Sequence, residues 1–273
     1  MIETIATAES NTELAPGYRL LTLTLREDVN VSAGQFAMLK PKASLEPLLR
    51  RALAVYRVYG PRRVSFLYQV LGRGTEALAR VEPGGAVEAL LPLGNSWPDA
   101  IRGNQSVIVV AGGIGSASVF MVCEELARYQ TDAHLLFGAR NGRTAVGCGL
   151  EDFRALGLSL TVTTDDGSLG EQGLVTGPLE GQLSERACQG LMIYACGPWV
   201  MMRQVAKLAA QFEVPCLVSL EAPMGCGFGV CVGCVVAVNT NELRGYGSYK
   251  RVCTDGSIFP AEAIRWEVNP MAP

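Results

Sequence analysis

The sequence predicts a β barrel, then a five-stranded parallel α/β sheet, then a small cysteine-rich module. Three observations predict it. Up to about residue 100 the apolar runs are short and β-like, with Gly and Pro between them. Beyond Ser106 the runs become almost wholly apolar and alternate with helix-forming stretches. From Glu221 onward Gly and Cys dominate, in a segment too short to build a large core of its own.

In the first unit, Tyr18–Leu25, Val64–Val70 and Val87–Leu91 read as strands. Pro16-Gly17, Gly60-Pro61 and Pro83-Gly84-Gly85 punctuate them. Strands without helices between them fit an antiparallel barrel or sandwich. In the second unit, strands are expected at Val107–Ala111, Ala133–Phe137, Leu158–Thr163, Leu191–Ala195 and Pro215–Ser219. Ser116–Tyr129 and Trp199–Phe212 carry the clearest helical composition. The expected divisions are 1–101, 102–220 and 221–273.

The chain has 273 residues, 49% hydrophobic and 18% charged, with a formal net charge of −3. That balance supplies no basic face for nucleic acid or anionic membrane. No apolar run approaches the roughly 20 residues a membrane helix needs, and Met1-Ile2-Glu3-Thr4 lacks a signal-peptide layout. A soluble, cytoplasmic protein is expected. The nine cysteines then stay reduced instead of forming a disulfide scaffold. The single histidine, His134, lies in an apolar strand pattern, so His-rich zinc sites and Ser–His–Asp chemistry lose their usual parts.

Cys226, Cys231, Cys234 and Cys253 follow the spacing C-x4-C-x2-C-x18-C. The opening C-x4-C-x2-C is that of plant-type [2Fe–2S] ferredoxins. Interleaved glycines let the backbone curl round a cluster and aim N–H groups at its sulfurs. Structural zinc is the rival, although its sites usually present two symmetrical short pairs. Cys123, Cys148, Cys188 and Cys216 read as packing residues.

Val107–Ala111 runs directly into Gly112-Gly113-Ile114-Gly115, with a helix pattern following. Glycines at a first strand-to-helix junction bring backbone N–H groups against a pyrophosphate. A plain tight turn is the competing reading. Cys196 and Gly197 close the fourth strand and open a helix, near the mouth of the same crevice; a mere helix start is the alternative there. The second strand ends on Arg140 with no acidic residue, so spacing does not choose NAD or NADP.

The order of these features resembles the ferredoxin-reductase-like flavoproteins. Within them it is similar to the electron-transfer subunits of NAD-dependent bacterial dihydroorotate dehydrogenases. The likeness runs over almost the whole chain, through Leu49-Arg50-Arg51, Leu67-Tyr68-Gln69, Gly72-Arg73-Gly74-Thr75, Leu91-Pro92-Leu93-Gly94-Asn95, Gly112–Gly115, Thr164-Asp165-Asp166-Gly167-Ser168, Tyr194-Ala195-Cys196-Gly197 and the four cysteines.

The resemblance implies FAD on the strand Arg51, Ala52, Leu53 and Ala54, with the arginine on the diphosphate. It implies a second flavin-lining strand at Leu67, Tyr68 and Gln69, and a phosphate-side turn at Gly74 and Thr75. Surface arginine and ordinary barrel core are the bland readings of Arg51 and Tyr68. The family's Arg-Pro-Ile-Ser has become Arg-Ala-Leu-Ala here, losing a proline and a flavin-facing hydroxyl; Ala117-Ser118 likewise departs from the family's Ala-Pro or Pro-Pro. Glu221, after the last sheet strand, either approaches the flavin or is a solvated linker residue.

The implied activity passes a hydride from NADH to FAD, then single electrons through the [2Fe–2S] cluster. The implied acceptor is a catalytic subunit holding FMN, in a heterotetramer of two of each, where dihydroorotate becomes orotate in pyrimidine biosynthesis. The implied alternative is a reductase subunit of a hydrogenase, sulfite reductase or oxygenase; a nonenzymatic nucleotide- and metal-binding regulator is a third reading.

Overall fold

The computed structural model describes residues 1–42, 46–98, 106–185, 189–239 and 246–270. The expected 101/102 division and Cys188 lie outside the described residues.

Seven antiparallel strands form the first sheet: β1 (Ile2–Ala15), β2 (Tyr18–Thr24), β3 (Phe36–Pro41), β4 (Arg51–Ala54), β5 (Arg57–Gly60), β6 (Arg63–Gln69) and β7 (Ala86–Leu93). Their order is β4-β3-β7-β1-β2-β6-β5. The outermost strands, β4 and β5, are consecutive in the chain. Their link, Val55-Tyr56, donates N–H bonds to Gln35 at one end and Ser65 at the other (3.0 and 2.8 Å), curling the sheet into a partly closed barrel. Ala6, Ala8, Leu21, Leu23, Ala37, Leu39, Phe66 and Leu91 fill its interior. Where the sequence suggested no helix, one short helix occurs, α1 (Arg73–Ala79).

The second sheet contains β8 (Ser106–Gly112), β9 (Ala133–Ala139), β10 (Ser159–Thr164), β11 (Glu171–Gln172), β12 (Leu191–Cys196), β13 (Cys216–Ser219) and, from the C-terminal segment, β16 (Ile258–Pro260). The order is β11-β10-β9-β8-β12-β13-β16. The five expected strands are parallel neighbours. Two short edge strands, parallel β11 and antiparallel β16, bring the sheet to seven. Helix α2 (Ser116–Arg128) follows β8, α3 (Gly142–Gly147) and α4 (Leu150–Ala155) follow β9, α5 (Thr176–Glu185) follows β11 and α6 (Trp199–Gln211) follows β12. Because β8 lies between β9 and β12, the chain winds one way from β8 through β9 and β10 and the other way through β12 and β13. This reversal opens a crevice at the carboxyl ends of β8 and β12, where such sheets hold their ligands.

A further ribbon, β14 (Val235–Ala237) with β15 (Tyr249–Arg251), stands beside the cysteine loop. Its core is shared: Cys234, Val236, Val252 and Cys253 belong to one apolar cluster with Phe36, Met38 and Leu93 of the barrel and with Val218 of the sheet. Asn95 ties barrel to C-terminal segment. Its amide donates to Ile258 O and accepts from Ile258 N (2.8 and 2.9 Å), while its backbone N–H donates to Gly256 O (2.6 Å). Barrel and sheet meet elsewhere at Tyr56, whose ring stacks on Phe120 with centroids 4.4 Å apart and whose hydroxyl donates to Asp152 (2.7 Å). Next to it, Arg57 pairs with Glu124 at 2.8 Å.

Candidate functional site

Four groups of side chains converge on the seams between these units. The first is built on β4. Arg51 turns its guanidinium back along the chain, donating to Leu49 O and Arg50 O (3.0 and 3.3 Å). It lies against the start of α1 so tightly that a Cβ on Gly74 would overlap Arg51 Nε. A cation beside a helix start, with glycine leaving the backbone bare, is a donor-rich cradle suited to a diphosphate. Ala52 is exposed, and Leu53 and Ala54 are half-buried.

The neighbouring expectations fare differently. Thr75 turns its hydroxyl inward, accepting from Leu71 N and Gly72 N (2.9 and 3.2 Å) and donating to Gly72 O (3.0 Å). These bonds shape the turn that leads into α1. Leu67 and Tyr68 are buried in the barrel core, and Tyr68 donates to Asn11 Oδ1 at 3.1 Å. Of that trio only Gln69 keeps its side chain partly open.

The second group lies at the sheet's switch point. Gly112 ends β8 and Gly115 leads into α2; Gly197 follows β12. A Cβ on Gly115 would lie 2.6 Å from Cys196 C and Gly197 N, and one on Gly197 would lie 2.9 Å from Gly112 Cα. The glycines thus let two strand-to-helix turns press backbone against backbone. Gly113, at φ +53°, faces open space. The N-terminus of α6 carries no side-chain cap, leaving its first N–H groups available to an anion, whereas α2 continues from a 3-10 turn (Gly113–Gly115) whose carbonyls already take the Ser116 N–H.

Beneath these turns Cys196 is buried, and burial together with the nearby Glu221 charge pushes its thiol up to about 12. Ser118 and Ser219 hydroxyls meet at 2.8 Å beside it. Glu221 forms the third element. Its side chain is exposed, yet desolvation by the surrounding protein raises its carboxyl above the ordinary range.

The cysteine loop is the fourth. Cys231 N donates toward Cys226 Sγ at 3.5 Å, and Cys253 N toward Cys234 Sγ at 3.4 Å. The thiols interact within those same two pairs, Cys226 with Cys231 and Cys234 with Cys253, and Cys226 also influences Cys253. Burial acts to raise Cys226, but N–H groups from Cys231, Phe228 and Val230 outweigh it and bring the thiol down to about 6. Burial pushes Cys253 up to about 12, with Cys234 adding to the shift. Among the described residues no three Cys, His, Asp or Glu gather closely enough for one metal ion. Two thiol pairs fit a two-iron cluster, one pair per iron, better than a single zinc. Gly227 and Gly229 adopt φ of +83° and +89°, turns that glycine permits.

His134 is a strand residue as expected, its ring 2.8 Å from Thr161 Oγ1 on β10. Cys123, Cys148 and Cys216 are buried packing residues. Asn95 joins barrel to C-terminal segment through a partner 163 residues away, which no local sequence signal reveals.

Residues 221–265 match the protein family described as the iron–sulfur cluster binding domain of dihydroorotate dehydrogenase B. A relative from Desulforamulus reducens, named dihydroorotate dehydrogenase B (NAD(+)) electron transfer subunit, is 36% identical over 235 residues, 86% of this chain and 87% of the relative. A Geobacillus kaustophilus protein of the same name is 36% identical over 233 residues, 85% and 86% of the two chains. Among solved structures, a chain of the NADH-dependent reduced ferredoxin–NADP oxidoreductase superimposes with a TM-score of 0.82 at 25% identity, covering 96% of this chain and 90% of that one. The Neisseria gonorrhoeae ferredoxin NADP+ reductase with bound FAD and NADP shares the fold, with a TM-score of 0.65 at 14% identity over 77% and 91% of the chains.

Proposed function

Since the chain belongs to the family of dihydroorotate dehydrogenase B electron transfer subunits, we propose that it carries electrons between NAD(H) and an FMN-containing catalytic subunit that oxidises dihydroorotate to orotate. The observation that carries this reading is the seating of the cysteine loop against the barrel: Cys234 and Cys253 share one apolar cluster with Met38 and Leu93, and Gly227, next to Cys226, packs on Met38. Units 1–101, 102–220 and 221–273 then take FAD, the nicotinamide nucleotide and the [2Fe–2S] cluster. Once bound, flavin and cluster supply the redox chemistry, the flavin accepting a two-electron hydride and the cluster passing electrons one at a time.

The chain's own residues bind and orient. Arg51 and the backbone at Gly74 hold the FAD diphosphate; Ala52, Leu53 and Ala54 offer a backbone edge to the ring, with Gln69 the open member of the neighbouring strand. Gly112, Gly113, Gly115 and Gly197 admit the nucleotide pyrophosphate to the glycine turn and to the uncapped start of α6. Cys196 stays a neutral thiol at the floor of that crevice, and Glu221 lines its wall. Cys226, Cys231, Cys234 and Cys253 ligate the irons.

Phe228, Val230 and Val232 leave 44%, 73% and 52% of their surface exposed round Cys231. Such an apolar rim is where the catalytic partner docks, in a complex of two copies of each chain. Among the described residues no helix is long and apolar enough to cross a membrane, and we place the complex in the cytoplasm, where the thiols stay reduced.

Co-expression with the neighbouring FMN subunit tests the reading. NAD-linked dihydroorotate oxidation by the copurified pair is expected. A protein that reduces artificial acceptors but never supports this reaction belongs instead to another reductase complex of the same build.

A further inference from the structure

Two glycines flank the first cluster cysteine, and only the second is pressed against another unit. A Cβ on Gly225 would meet nothing nearer than Cys231 Sγ at 3.5 Å. A Cβ on Gly227 would lie 2.5 Å from Met38 Cγ, 3.0 Å from Met38 Sδ and 3.2 Å from Leu93 Cδ1. Met38 is fully buried at the middle of β3. Its register partner is Ala52 on β4, with Phe36 opposite Ala54 two residues along. Opposed residues in an antiparallel pair project from the same face. Ala52, Ala54, Phe36 and Met38 therefore share one face of the barrel, and the cysteine loop packs on it through Gly227.

The geometry points to a Met38–Gly227 seam that sets how closely the cluster approaches the flavin. This rests on the assignment of FAD to β4 and of the cluster to the four cysteines. Met38 is the side chain common to both: it borders the flavin strand through Ala52 and touches the residue next to Cys226. The absence of a Cβ at 227 brings the loop against β3, while Arg251, donating to Gly229 O at 3.2 Å, holds the loop's far side. Met38 and Gly227 are positioning residues. Each electron leaving reduced flavin converts one ferric iron to ferrous. Two such transfers discharge the hydride's electron pair, the proton going to solvent, and the partner reoxidises the cluster between them.

The test uses full-length protein with both cofactors bound. Gly227→Ala should leave flavin bleaching by NADH unchanged but slow cluster reduction roughly tenfold, a displacement effect on a remote reacting pair. Met38→Ala added to it should recover part of the rate by returning the missing space, the strain of an alanine at φ +83° remaining. Met38→Phe, which presses on the loop from the barrel side and leaves the backbone at 227 untouched, should reproduce the slowing. A readout independent of turnover is flavin emission in the oxidised protein, which a nearby cluster quenches. It should rise in Gly227→Ala and in Met38→Phe, and fall back in the double variant. Should Gly227→Ala lose its iron, the Met38→Phe result decides alone. Parent-like cluster reduction and emission in Met38→Phe, or in a Gly227→Ala that retains iron, overturns the seam. Parent protein without NADH-bleachable flavin, or without two irons, would instead defeat the underlying assignment.

Discussion

The nucleotide crevice and the cysteine loop hold their ligands by opposite means. At the crevice, two turns at the ends of fully buried strands lock together because Gly112, Gly115 and Gly197 carry no side chain. Their shape is set by the sheet, with or without a nucleotide. At the cysteine loop there is little regular structure; Val230, Cys231 and Val232 are exposed, and order comes from N–H groups turned onto sulfur and from Arg251. The difference teaches where loss of a side chain should be felt. Damage to the crevice is damage to packing, graded and felt in stability. Damage to the loop is loss of a ligand and close to all-or-none.

The sharpest way to break that contrast is to remove one thiol. Cys234→Ser should abolish the cluster, with iron content falling from two per chain to near none and the cluster bands vanishing while flavin stays bound. Iron analysis and visible spectra read it. An effect confined to the cluster, with NADH binding retained, separates loop from crevice; simultaneous loss of NADH binding would show that the two regions fold as one unit. Next in size is Arg51→Ala. A charge-assisted hydrogen bond contributes roughly 1.5–3 kcal/mol, so FAD affinity should fall on the order of ten- to a hundredfold by titration of the apoprotein. Cluster content should not change.

Gly115→Ala tests the crevice. Overpacking two buried backbones costs about 1–3 kcal/mol. A lower melting temperature and a raised KM for NADH should therefore appear together, with iron content unchanged. The smallest effect belongs to Glu221. Its folded-state pKa is raised, so proton binding favours the folded protein below that value, and the advantage is lost as pH rises through it. Glu221→Gln should melt close to the parent near pH 4 and slightly above it near pH 7, a modest gap because the side chain is exposed. Calorimetry at both pH values reads the sign.

How much of this was legible in the sequence follows the same division. The parallel sheet was readable because buried strands such as Val107–Ala111 are apolar throughout, and the observed β8 adds only one residue at each end. The cysteine spacing was readable because ligation fixes chain distances. In the barrel, β1 escaped notice: its interior positions are Ala6 and Ala8, too small to stand out against the flanking Glu, Ser and Asn residues. β11 and β16 are two or three residues long and exist only because a neighbouring edge pairs with them. A motif match gives a residue but not its hydrogen-bond partners, such as Leu71 N for Thr75 and Asn11 for Tyr68. The Met38–Gly227 contact depends on segments far apart in the chain, where no periodicity reaches.

The central claim is that one chain holds a flavin next to a two-iron cluster and feeds both from NADH. Anaerobic addition of NADH to the purified protein, followed in the visible spectrum, tests it most directly. Flavin and cluster bands should both be present and both bleach, three electrons being taken up per chain (two by flavin, one by cluster). A flavin that bleaches while the cluster bands stay fixed, or a protein carrying a single zinc in place of iron, would contradict it.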